Sequence, residues 1–362
     1  MFEKRREKLI KRMDQNEIDA ILLVPGTNMY YFSGLKLKQS ERLSLAVISK
    51  EGELTLLVPQ VELSKTESIS GLSKIYSYSD EQGPVQALVE LLHHIGAKQR
   101  VGVEYGQMRV NELKVIDDQF ANIVDASELI SALQIIKDEE EILHLKNAIN
   151  IIEESFIATL PYIKEGVKEI EIAALLEFEM RKRGSEGTPF GTTVASGYRG
   201  ALPHGRATDK VIQNGELIVI DFGAISQGYV GDTTRTVAVG RISDELREIY
   251  KVVKEAQQAA VDIVRPGISA HDVDDTARKI IAERGYAEFF THRTGHGVGL
   301  SGHEEPYIRQ NNQLVLEPGM IFTIEPGIYL PNKGGVRIED EVLVTKDGFI
   351  NLMSFPKDLI IL

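Results

Sequence analysis

Gly215-Glu216-Leu217-Ile218-Val219-Ile220-Asp221-Phe222-Gly223 and Gly319-Met320-Ile321-Phe322-Thr323-Ile324-Glu325-Pro326-Gly327 are two versions of one pattern. In each, an apolar run delivers a carboxylate six residues after the first glycine and two before the last. The repetition extends upstream. Ile163-Lys164-Glu165-Gly166 leads to Arg183-Gly184, and Val264-Arg265-Pro266-Gly267 leads over an equal span to Arg284-Gly285. Helical periodicity fills both spans. A tandem of helix plus strand-carboxylate-turn units predicts two halves related by a pseudo-twofold axis.

In the first unit a turn around Ser226-Gln227 returns the chain through Tyr229 to Asp232. Asp221 and Asp232 are symmetric about that turn, so they are expected opposite each other on a hairpin, with Cβ atoms roughly 4.5–5.5 Å apart. In the second unit the chain returns from Glu325 through Pro331-Asn332-Lys333 to Gly335-Val336-Arg337-Ile338-Glu339. Arg337 and Glu339 share a strand face because side chains alternate. Taken singly, each acid reads as an ordinary strand end in water. Four acids crowded at matched positions repel one another and are driven toward protonation unless cations compensate. Two divalent ions match them in charge.

Four of the eight histidines, His204, His292, His296 and His303, fall just before or between these strands. His296 sits in Gly295-His296-Gly297-Val298-Gly299, where glycines allow close backbone approach. The run lacks the strand-loop-helix fingerprint of a nucleotide-binding loop.

Bulk properties narrow the setting. A chain of 362 residues exceeds one ordinary core, so two domains are expected. Short strands alternate with amphipathic helices up to about residue 125: Ala20–Val24, the hairpin Leu45–Ser49 with Leu54–Val58, a helix over Pro84–His94 and a strand over Arg100–Glu104. A long helix follows, with Ile142, Leu145, Ile149, Ile152 and Phe156 on one stripe. The boundary is expected near 126–137, giving domains of 1–128 and 129–362. A net charge of −13 argues against a nucleic-acid partner. No apolar run approaches the roughly 20 residues of a membrane span. The absence of cysteine removes thiolate ligands and a cysteine nucleophile and accords with a reducing compartment. The amphipathic N-terminal segment reads as a helix, and a cytoplasmic location is expected.

Asp221, Asp232, His296, Glu325 and Glu339 resemble the five-ligand set of the pita-bread metallopeptidases, which include methionine aminopeptidase, aminopeptidase P and prolidase. Thr323-Ile324-Glu325-Pro326-Gly327, Val336-Arg337-Ile338-Glu339-Asp340 and the Gly-His-Gly-Val-Gly run carry the likeness. Ser196-Gly197-Tyr198-Arg199-Gly200-Ala201-Leu202-Pro203-His204-Gly205 is similar to a substrate-contacting stretch of prolidases. The resemblance implies an α/β (α+β) chain: a C-terminal pita-bread domain behind a smaller creatinase-like N-terminal α/β domain. It implies two divalent metal ions, Mn2+ first with Co2+ or Zn2+ as alternatives, activating a water for cleavage of Xaa-Pro bonds. Asp232 and Glu339 would bridge the ions, Asp221 would complete one site, and His296 and Glu325 the other. Glu325 would also move the proton. His204, His292 and His303 would meet the substrate, a small peptide with proline second, and Arg337 would fix the bridging carboxylates. A homodimer is implied as well. Within this resemblance a dipeptidase leads over an aminopeptidase P acting on longer peptides. A metal-free creatinase-like hydrolase or a non-catalytic binding module would be expected to have lost ligands. A basic loop, Ser33 to Arg42 with Lys36, Lys38 and Arg42, is a candidate for holding a dipeptide carboxylate, or else a solvated loop.

Overall fold

The β-branched and leucine-rich runs of the first third pair into a single mixed sheet. The computed structural model describes residues 1–96, 100–117 and 122–362. The chain folds as two units, Met1–Gln134 and Ile135–Leu362. The first contains strands β1 (Ala20–Leu23), β2 (Leu45–Ser49), β3 (Leu54–Pro59), β4 (Leu72–Tyr78), β5 (Arg100–Val103) and β6 (Asn122–Asp125), in the order β4-β3-β2-β1-β5-β6. Helices α1 (Phe2–Gln15), α2 (Thr27–Ser33), α3 (Val85–His94), α4 (Val110–Asp117) and α5 (Ser127–Gln134) connect and cover it. β1, β2 and β3 are buried along their whole length, so a continuous apolar run replaces the alternation of a half-exposed sheet. In the Ser33–Arg42 loop, Arg42 donates from Nε and Nη2 to the two Asp80 oxygens at 2.7 and 2.8 Å, and Lys36 stands 4.8 Å over the Tyr30 ring.

The second unit runs α6 (Glu139–Thr159), α7 (Glu169–Lys182), β7 (Thr193–Ser196), β8 (Glu216–Ser226), β9 (Tyr229–Val239), α8 (Asp244–Asp262), α9 (Ala270–Glu283), β10 (Gly295–Gly297), β11 (Glu304–Ile308), β12 (Ile321–Ile324), β13 (Gly327–Leu330), β14 (Gly334–Arg337), β15 (Asp340–Val344) and β16 (Phe349–Asn351). Asp138 starts α6 with a capping box that Glu141 closes, and Ser269 starts α9 in the same way with Asp272.

The repeat in the sequence is repeated in backbone geometry. Gly166 and Gly267 take φ of 88° and 90°, and Gly215 and Gly319 take 86° and 94°. The Gly166 N–H donates to the Ile212 carbonyl and the Gly267 N–H to the Leu316 carbonyl, both at 3.0 Å. In each half a helix packs on that half's own strands. Ile149, Ile152 and Phe156 of α6 pack with Ile220 and Phe222, whereas Val253, Ala256 and Ala260 of α8 pack with Phe322, Ile324 and Val336. Among the described residues no helix is long and apolar enough to cross a membrane.

The fold also explains the glycines around His296. β10 lies between β11 and β12, so close that a Cβ on Gly295 would overlap the Thr323 carbonyl and one on Gly297 the Glu305 carbonyl. Gly295→Ala is therefore expected to lower stability by about 2 kcal/mol or more through forced strand separation. Gly348→Ala, where nothing lies within 4 Å, should stay within about 0.5 kcal/mol. Denaturant midpoints of the two variants check this; equal midpoints would show that β10 is not packed as described.

Candidate active site

Asp221 and Asp232 are placed by the hairpin β8–β9. Its two turn residues, Gln227 and Gly228, take φ of 51° and 85°, the primed geometry that matches the twist of flanking strands. Ser226 pairs with Tyr229, so Asp221 faces Thr234 and Asp232 faces Gly223. Directly opposed aspartates are thus not what forms. Glycine is available for the left-handed position at 228, which moves the turn one residue along. The two carboxylates instead become diagonal neighbours on one face, still about 7–8 Å apart at Cα.

Glu325 and Glu339 come from one interrupted ladder. Ile324 pairs with Asp340 in β12–β15, and Gly327 pairs with Arg337 in β13–β14. Both registers place Glu325 across from Glu339, in the gap between the two ladders. His296 is the middle residue of β10, its N–H donating to Thr323 Oγ1 at 3.1 Å.

All nine residues singled out from the sequence, His204, Asp221, Asp232, His292, His296, His303, Glu325, Arg337 and Glu339, line one cavity of about 610 Å3. Phe190, Gly191, Thr193, Pro203, Arg206 and Arg293 complete its wall. Asp232, His296 and Glu339 are buried, and His204 and His303 are exposed at the wall. Three groups of side chains bring ligand atoms within 4.8 Å of one another: Asp221 with Asp232 and Glu339, His296 with Glu325 and Glu339, and Asp232 with His296 and His303. Glu339 belongs to the first two and Asp232 to the first and third. Oxygen-rich trios sharing a carboxylate suit a pair of divalent cations. The third trio adds a potential donor, His303, which the family resemblance implies only as a substrate contact.

Electrostatics point the same way. Burial, then the neighbouring acids Glu339 and Asp221, push Asp232 well above the usual carboxylate range. Glu339 is raised by burial and by Glu325 and Asp221, and Asp221 by burial despite Arg337. Glu325 goes the other way, down to about 2. Burial opposes ionisation there, but the hydrogen bond and charge of His296, with His292 and Arg337, outweigh it. His296 Nε2 lies 3.2 Å from Glu325 Oε1 and 3.8 Å from Asp232 Oδ2. Behind the floor, Glu341 is pushed up to about 8 by burial while accepting the Asp232 N–H at 2.7 Å.

Arg337 is buried and committed. Its Nη2 donates to Asp221 Oδ2 at 2.6 Å, Nη1 to Tyr329 Oη at 2.9 Å, and Nε to Thr234 Oγ1 at 3.0 Å. Thr234 in turn donates to Glu339 Oε2 at 2.7 Å. The guanidinium therefore holds Asp221 directly and Glu339 only through a hydroxyl. Asp340, three residues further along the chain, is taken by Arg235 at 2.7 Å and Lys357 at 3.1 Å.

The histidines differ in freedom. His292 Nδ1 lies 2.7 Å from the Arg293 carbonyl and Nε2 lies 2.8 Å from Tyr329 Oη, so both ring nitrogens are engaged within the protein. His303 takes the Arg293 guanidinium on Nδ1 at 3.2 Å, its ring 3.9 Å from that of His296. Although exposed at the wall, the ring is partly desolvated by the surrounding cavity, and this, followed by the charges of His296 and Arg293, lowers its pKa to about 4.

The chain and its fold are similar to known proteins. Residues 144–346 match metallopeptidase family M24, and residues 5–136 match the creatinase/prolidase N-terminal domain. An Xaa-Pro dipeptidase of Pyrococcus horikoshii is 41% identical over 361 residues, 98% of each chain. A prolidase structure from Thermococcus sibiricus superimposes with a TM-score of 0.95 at 37% identity, covering 100% of this chain and 99% of that one. An X-Pro aminopeptidase from Thermotoga maritima gives 0.88 at 35% identity, covering 99% of both.

The raised carboxylates set a pH dependence. Asp221, Asp232, Glu339 and Glu341 favour the proton when folded, so their contribution to stability is full below about pH 4 and is lost as pH rises through their folded values, near 8 for Glu341. Glu325, depressed, has the opposite sign and matters only as pH falls toward 2. Divalent cations bind the deprotonated carboxylates and must displace those protons. In melting curves, the rise in Tm on replacing chelator with Mn2+ should thus be larger at pH 8 than at pH 5.5. An equal rise at both, or none, would contradict the ligand assignment.

Proposed function

Since the chain belongs to metallopeptidase family M24 and carries a creatinase/prolidase N-terminal domain, we propose that it cleaves Xaa-Pro bonds, with the dipeptide as principal substrate. The observation that carries this reading is the pair of ligand trios sharing Glu339 at the floor of one cavity. Xaa-Pro dipeptidases that match the chain end to end support the substrate class.

In this reading Asp221, Asp232 and Glu339 would hold one divalent cation, and His296, Glu325 and Glu339 the other. Bound there, such ions would supply Lewis acidity for the scissile carbonyl and bring a water's pKa toward neutrality. Manganese is proposed because oxygen donors dominate the set, with cobalt or zinc as substitutes. Glu325, ionised over the working range, accepts the proton given up by the attacking water and returns it to the departing proline nitrogen. Arg293 is only a donor, so the His303 nitrogen facing it must accept, which leaves Nε2–H to point at the carbonyl oxygen. His204 on the exposed wall is the other substrate contact. His292 serves by shape, because Tyr329 and the Arg293 carbonyl occupy its nitrogens. Arg337 fixes the orientation of Asp221. The lack of cysteine accords with a cytosolic setting, and the family resemblance implies a homodimer.

An aminopeptidase that takes longer X-Pro peptides is the second reading, favoured by the similarity to the Thermotoga maritima X-Pro aminopeptidase. Chelator-stripped protein resupplied with Mn2+ and offered Ala-Pro, Ala-Pro-Ala and Met-Ala-Ala separates the two. Release from Ala-Pro alone supports the dipeptidase, and cleavage of the tripeptide at Ala-Pro supports the aminopeptidase. Cleavage of only Met-Ala-Ala, or of none while the protein stays folded, rejects the proline-directed reading. Glu325→Gln is expected to lower kcat by about 100-fold or more, in keeping with loss of a proton carrier.

A further inference from the structure

Two guanidinium groups of the cavity wall, Arg206 and Arg293, pair with no carboxylate among the described residues, whereas the third, Arg337, is bound to Asp221. Arg206 is brought to the wall by strand pairing. Thr193 pairs with Asp221 on one side and with Arg206 on the other. Residues paired across antiparallel strands project from one face. The row Asp221–Thr193–Arg206 therefore lines the cavity, and all three members are found there. With strands about 4.8 Å apart, the Arg206 backbone stands roughly 10 Å from that of Asp221. Its guanidinium lies over Gly191, where a Cβ would come within 2.9 Å of Cζ and Nη1. The missing side chain at Gly191 makes its room.

Arg293 is held differently. It donates to His303 Nδ1 at 3.2 Å and stacks 4.5 Å over the Tyr307 ring. It thus lies beside the histidine assigned above to the scissile carbonyl. An Xaa-Pro dipeptide brings one main-chain carboxylate, and a fixed guanidinium beside His303 suits that invariant group. Arg337 is already committed to Asp221, and Arg206 meets no carboxylate among the described residues, so it would remain unmatched when Xaa is neutral.

We propose that Arg206 is a specificity residue that pairs with the side-chain carboxylate of Xaa and makes Glu-Pro and Asp-Pro preferred substrates. This assignment rests on the Xaa-Pro reading above. The guanidinium, exposed at the cavity wall, offers a planar donor fork to an incoming carboxylate. Glutamine has the same length and shape without the charge, so Gln-Pro is the matched control for Glu-Pro.

The test compares kcat/KM for Glu-Pro, Gln-Pro and Lys-Pro on the Mn2+-loaded protein and on Arg206→Met and Arg206→Glu. The unaltered protein is expected to favour Glu-Pro over Gln-Pro by about tenfold, the size of one charge-assisted hydrogen bond. That ratio should fall to near one in R206M, chiefly through KM, and R206E should favour Lys-Pro over Glu-Pro. Raising the salt concentration should shrink the preference of the unaltered protein. If Gln-Pro is cleaved but the ratio is near one, or both variants leave it unchanged, the Arg206 assignment is overturned and the Xaa-Pro reading stands. If the unaltered protein cleaves none of the three dipeptides, that reading fails and the assignment falls with it.

Discussion

Four carboxylates gathered at the buried ends of strands repel one another whenever they are ionised, and the second unit is organised around holding them there. Burial in a low-dielectric interior would ordinarily return such groups to the protonated state. Here the opposing forces are built in as fixed cations and donors. Arg337 meets Asp221, Thr234 carries a hydroxyl to Glu339, and His296 meets Glu325. What they leave uncompensated, chiefly at Asp232 and Glu339, is the part that divalent ions can neutralise.

Each half also fastens its histidine-bearing segment with one buried acid. Glu169 at the start of α7 accepts from the backbone and hydroxyl of Ser196 at 2.8 Å each, from those of Thr208 at 3.1 and 2.9 Å, and from Arg199. It thus pins both ends of the loop that bears His204. Asp274 in α9 accepts the Thr294 N–H at 3.1 Å and pairs with Arg278, which donates on to the His292 carbonyl at 2.9 Å. Neither acid reaches the cavity. Both set where the wall stands, and removing one partner of such a buried ion pair costs about 3–5 kcal/mol.

Much of this is legible in the sequence, because it rests on pattern. Two nine-residue phrases with a carboxylate at the same place, a histidine among glycines and a helical stripe from Ile142 to Phe156 are periodic or repeated signals. What stays hidden depends on geometry that pattern does not carry. The register of β8 and β9 turns on which residue takes the left-handed conformation, and that shifts Asp232 from opposite Asp221 to a diagonal position. The second hairpin is legible, but not its break into two ladders at Glu325 and Glu339. The partner of Arg337 could have been an adjacent acid on the chain, and only packing shows that it is Asp221 from the other half. Arg206, Arg293 and Phe190 are single residues in irregular segments, and nothing in their spacing separates them from ordinary surface positions.

The hairpin joining Asp221 to Asp232 has an evolutionary corollary. Side chains in a strand alternate with a period of two, so one residue gained or lost at Gln227-Gly228 would turn Asp232 to the opposite face together with every residue of β9 that follows. β9 is buried on both faces, and the displaced groups would include Arg235, whose guanidinium belongs with Asp340. The hairpin can drift in composition at its tip, provided the left-handed positions remain allowed. Its length cannot drift. Among related chains, gaps should therefore gather in loops far from this turn, and the count of residues between the two aspartates should outlast the identity of almost any residue between them.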